Sequence, residues 1–106
     1  MRVLFDQGTP APLRAALRDH VVETAYECGW STLKNGDLLH AAEVADFEIL
    51  VTTDTQLQYQ QNLAARRIAI VVLSTTSWPR IRAASDVVSR AVDSAVEQRY
   101  VEVLIP

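Results

Sequence analysis

Cysteine occurs once in the 106 residues, as Cys28. A single thiol forms no internal disulfide and is too isolated for a zinc knuckle. Lysine also occurs once, as Lys34, and the other nine cations are arginines scattered along the chain. With a formal charge of −3 the chain is no strongly basic nucleic-acid coat, although an arginine groove for phosphate stays open. Three glycines and four prolines are too few for a low-complexity segment, so helices and strands should dominate. No apolar run reaches the about 18 residues of a membrane span. The chain opens on a strand and not on a basic-then-apolar leader, so a cytoplasmic setting is the expectation. What is present, 49% hydrophobic and 22% charged residues, is ordinary for one globular domain.

Short β-branched runs alternate with helical spacing. Val3 to Phe5 reads as a first strand, in the run Arg2 to Asp6 that ends on a carboxylate. Asp6 to Pro10 is a turn, and Thr9 is expected to cap a helix with Pro10 or Pro12 in its first turn and Leu13, Ala16 and Leu17 inward. Val21 to Ala25 is a second strand, Tyr26 to Trp30 closes it with Gly29 as turn residue, and Ser31 to Gly36 is a loop. Asn35-Gly36 opens a helix with Asp37 in its first turn and Leu38, Leu39, Ala42 and Ala45 as its stripe. It ends near Asp46 to Glu48. Ile49 to Thr53 is a third strand, ending on Asp54. Asp54 or Thr55 caps a polar helix from Gln56 to about Leu63, which Arg66-Arg67 breaks. Ile68 to Leu73, the most apolar run, is a fourth strand. After the hydroxyl-rich Ser74 to Ser77, one long helix runs from Trp78 to about Val96, with Ile81, Ala84, Val88, Ala91, Val92 and Ala95 inward. Tyr100 to Ile105 is the last strand.

The alternation predicts an α/β domain of three layers around a mainly parallel five-stranded sheet. The first, third and fourth strands are nearly continuously apolar and belong inside; the second and fifth, carrying Glu23 and Glu102, belong at the edges. Ligands bind such sheets at the carboxyl ends of the strands. Asp6 and Asp54 leave that end, and Asp37 opens the helix that leads into the Asp54 strand. Three converging carboxylates repel unless a cation neutralises them, and hard oxygen ligands suit Mg²⁺ or Mn²⁺. Such an ion could activate water against a phosphodiester.

Asp37 to Ala45, followed by Ile49 to Asp54, resembles the second half of a PIN nuclease domain: an aspartate opening a helix of small residues, then a strand ending Thr-x-Asp. The chain start, Val3 to Pro10, is similar to compact PIN-like proteins known as toxins of bacterial toxin–antitoxin pairs. The resemblance covers Arg2 to about Leu73. It implies a Mg²⁺- or Mn²⁺-dependent ribonuclease with Asp6, Asp37 and Asp54 as catalytic metal ligands, RNA as substrate and an antitoxin as partner. Gln7 stands where that family usually has a second acid, and Ser74 and Thr75 where a fourth acid often follows the fourth strand.

Gln7, Arg14, Lys34, Thr53, Ser74 and Thr75 are the candidate substrate contacts. His40 lies one turn from Asp37. Glu43 is about 120° around a 3.6-residue helix from Asp37 and is not expected to join it. Trp30 and Trp78 are candidates for base stacking, with packing as the simpler role. Two rivals stand beside the nuclease. One is a non-catalytic binding module on the same scaffold. The other is a phosphotransfer receiver with Asp54 as acceptor, which would need an acidic pair after the first strand and a lysine after the fifth. A homodimer or an antitoxin complex is expected through the helical flanks and not the sheet edge.

Overall fold

A computed structural model describes all residues, Met1–Pro106. Five strands form one sheet: β1 (Arg2–Phe5), β2 (Val21–Thr24), β3 (Ile49–Thr52), β4 (Ala69–Leu73) and β5 (Tyr100–Val103). Every pairing is parallel and the order is β2-β1-β3-β4-β5. As expected, β1, β3 and β4 are interior and β2 and β5 are the edges. Interior strands are buried on both faces, which is why their sequences are continuously apolar.

Alternate residues feed two cores, because successive side chains of a strand point to opposite faces. Val3, Phe5, Ile49, Val51 and Val71 join one core. It is covered by α3 (Trp78–Ala83), α4 (Ser85–Gln98) and a 3₁₀ segment at Ala11–Ala16. Leu4, Leu50, Ile70 and Val72 join the other, under α1 (Asn35–Val44) and α2 (Leu57–Gln60). Helices thus lie on both faces, giving three layers. No helix is long and apolar enough to cross a membrane.

Three expected helices come out differently. The first is only the six-residue 3₁₀ segment, closed by bonds such as Leu13 N–H to Pro10 O. At about 2.0 Å per residue, against about 1.5 Å for an α-helix, it travels further back along the strands with few residues. Thr9 does not cap it. The helix expected from Gln56 to Leu63 is one turn, α2, followed by a 3₁₀ turn at Leu63–Ala65. Only Leu57 of α2 is buried, so the glutamine run has no apolar stripe to hold a longer helix. The long helix after Ser77 is broken at Ala84, which leaves helical geometry at φ −108° and ψ 19°. Ile81, Ala84 and Val88 keep their stripe across the break, so periodicity carries no sign of it.

At the end of α1 the chain turns through Asp46 at φ 64°, and Phe47 N–H reaches back to Ala42 O at 2.9 Å. This left-handed stop aims the chain into β3, and Asp is among the few residues with a side chain that adopt it readily. Gly29, at φ 77°, makes the turn after β2 that was expected of it.

Candidate functional site

The chain leaves β1 for β2 on one side and starts β3 on the other, so the order reverses between β1 and β3. In an open parallel sheet this is where a crevice opens beyond the strand ends. Asp6 follows β1 and Asp54 lies two residues beyond β3, so both stand at that point. Asp6 N–H still bonds Val51 O at 3.2 Å, which fixes its side chain against the end of β3.

The Asp6 carboxylate is held by threonines. Oδ1 accepts from Thr9 N–H at 3.1 Å and from Thr9 Oγ1 at 2.7 Å. Oδ2 accepts from the Thr52 hydroxyl. Thr52 Oγ1 in turn accepts from Asp54 N–H at 3.0 Å. Asp54 Oδ1 accepts from Gln56 N–H at 2.9 Å, closing a turn at the start of α2. Burial pushes the Asp6 carboxyl above its ordinary value; bonds from Thr52 and Thr9 oppose the rise, and repulsion from Asp54 adds to it. Two carboxylates near enough to repel make a local negative site.

Gly8 keeps this edge narrow. A Cβ there would collide with Thr53 Oγ1 and would approach Asp6 Oδ1 to 3.9 Å. The β1 and β3 loops meet at this glycine by close approach.

 Beside Asp6, past the end of β2, lies a pocket of ≈ 290 Å³, against ≈ 400 Å³ and ≈ 520 Å³ for two larger surface grooves. Those two grooves are lined by residues from elsewhere, such as Glu48 and Arg67 for the first and Asn62 and Tyr100 for the second. The smaller one contains Asp6, with Gln7, Ser31, Lys34 and Asn35 around it. Ala25, Leu33 and Leu38 supply its apolar wall.

The other expected site residues are placed as follows. Asp37 is exposed on the first turn of α1. No three His, Cys, Asp or Glu side chains are gathered closely enough to hold a metal ion, so the structure joins Asp6 to Asp54 but does not close a three-aspartate cluster. Gln7 and Lys34 line the Asp6 pocket, and Thr53 lies beside Gly8. Arg14 is drawn into an exposed ion pair with Glu27 at 2.5 Å. Ser74 Oγ accepts from Ile105 N–H at 2.8 Å, and Thr75 Oγ1 accepts from Ser77 N–H at 3.1 Å, so both hydroxyls serve the chain itself. His40 is exposed. Glu43 turns away to Arg66, at 2.9 Å, and to Arg67 N–H. Trp30 packs edge-on against Phe47, with centroids 6.0 Å apart, and Trp78 packs on the larger core.

Thr52 and Thr9 are the residues that sequence reasoning missed as parts of the site. The sequence signal for Thr52 is its place in Thr-x-Asp; Thr9, expected as a helix cap, bonds Asp6 instead.

Two carboxylates are enough to begin a Mg²⁺ site, because Mg²⁺ keeps several waters and binds through one or two carboxylates plus substrate phosphates. Asp54 has its second oxygen free of protein partners, whereas both Asp6 oxygens are engaged by threonine donors. Carboxylate oxygens are the donor type that hard divalent ions take, and of the two aspartates only Asp54 offers an oxygen without a protein partner. No protein-family model, curated protein or solved structure matches the chain.

Proposed function

We propose that the chain is a PIN-like, metal-dependent ribonuclease, the toxin of a toxin–antitoxin pair. The observation that carries this reading is the pairing of Asp6 and Asp54 through Thr52 at the point where the strand order reverses. In this reading Asp6 and Asp54 hold Mg²⁺ or Mn²⁺, and Asp37, exposed on the first turn of α1, stands outside that pair. The ion, when bound, supplies an activated water and steadies charge on the phosphodiester. The same reading expects a protein partner, an antitoxin or a second copy, on the helical flanks. Purified protein should cleave single-stranded RNA when Mn²⁺ is added and stop when a chelator removes it. Absence of cleavage in both conditions contradicts the proposal.

A non-catalytic binding module is the second reading. It is favoured by the threonine bonds on both Asp6 oxygens and by the lack of a closed three-ligand cluster.

A further inference from the structure

We propose that the pocket beside Asp6 takes one nucleotide of a single-stranded RNA, with the base on its apolar wall and the phosphate at Lys34. This rests on the ribonuclease reading and names the unit that the strand places next to the cleavage point.

Ligand pockets combine an apolar lining with a few convergent polar groups and start at roughly 300 Å³. This one, at ≈ 290 Å³, has room for one unit and not for a folded segment. Its wall is Ala25 and Leu38, both buried, with the half-buried Leu33. A wall of that kind accepts the flat face of a base without needing an aromatic platform. Trp30, next in sequence to Ser31, is spent on Phe47 and supplies none.

Around the wall stand groups able to read a base edge. Gln7 and Ser31 are exposed and make no side-chain bond within the protein. Asn35 donates through Nδ2 to Gln60 Oε1 at 2.5 Å, leaving its Oδ1 as a free acceptor. An amide offers both donor and acceptor, as base edges demand. Lys34 forms no ion pair, so the chain's only lysine presents an unneutralised charge at the rim. The Asp6 carboxylate at one side disfavours an anion there, so the phosphate belongs at the Lys34 end.

Titration of the whole chain with 5′-mononucleotides and with the matching nucleosides, in the absence of metal and followed by NMR, tests this. Mononucleotides should bind at about millimolar dissociation constants. Ser31→Trp, which fills the pocket from an exposed position, should abolish the binding. Lys34→Ala should weaken mononucleotides about fivefold and leave nucleosides unchanged. Failure of every mononucleotide to bind, or unchanged binding by both variants, overturns the proposal. Metal-dependent RNA cleavage without nucleotide binding overturns the pocket and leaves the ribonuclease; nucleotide binding without cleavage does the reverse.

Discussion

Thr52 joins the two aspartates: its hydroxyl donates to Asp6 Oδ2 and accepts from Asp54 N–H at 3.0 Å. Thr52 is itself buried, at 1% exposure, so water cannot replace either bond. Thr52→Val keeps the shape and removes both. We expect a loss of about 2 kcal/mol in urea unfolding, the scale of a buried bond to a charged group. Thr52→Ser should retain most of it.

Asp6 makes stability depend on pH in a stated direction. Its folded pKa is raised, chiefly by burial. The folded chain therefore holds this proton to higher pH than the unfolded chain does. Its favourable contribution is full below the ordinary value of 3.8 and is lost as pH rises through the raised value. Asp6→Asn should remove this dependence and raise the melting temperature at neutral pH. Melting curves across pH for both proteins check it; an Asn variant that melts lower at pH 7 contradicts it.

Glu43 runs the other way. Burial pushes it up, but bonds from Arg66 and from the Arg67 and Ile68 backbone outweigh that and hold it below its ordinary value. Its contribution is present above the ordinary 4.5 and is lost as pH falls through the lowered value. Glu43→Ala removes the carboxylate partner of the half-buried Arg66 and should cost about 1 kcal/mol at pH 7 in urea unfolding.

Gly8→Ala should destabilise the chain, because the added methyl meets Thr53 Oγ1. Thr53→Ala in the same chain should recover most of the loss. A double-mutant cycle with no coupling would show that the two loops are not in contact as described.

The sheet was legible because each strand is a short apolar run, and the burial of β1, β3 and β4 on both faces leaves no alternation to misread. Asp6 and Asp54 were legible as the residues ending such runs. The short crossovers were not. Leu13, Ala16 and Leu17 show helical spacing, yet Ala11–Ala16 forms a 3₁₀ segment, since periodicity does not report how far a connection must travel. Ser74 and Thr75 looked like site hydroxyls, but their bonds to Ile105 and Ser77 depend on how the chain end and α3 pack. The bond from Thr52 to Asp6 joins residues 46 positions apart and follows only from the register of β1 on β3.

If Asp6 and Asp54 act as one divalent-ion site, melting of the folded chain responds to added Mn²⁺. With a dissociation constant of about 1 mM, about 10 mM Mn²⁺ should raise the wild-type melting temperature by about 5 °C. Asp54→Asn should lose that rise, and Asp86→Asn, on α4, should keep it. A wild type whose melting ignores Mn²⁺, or an Asp54→Asn variant that responds as fully as wild type, contradicts the account.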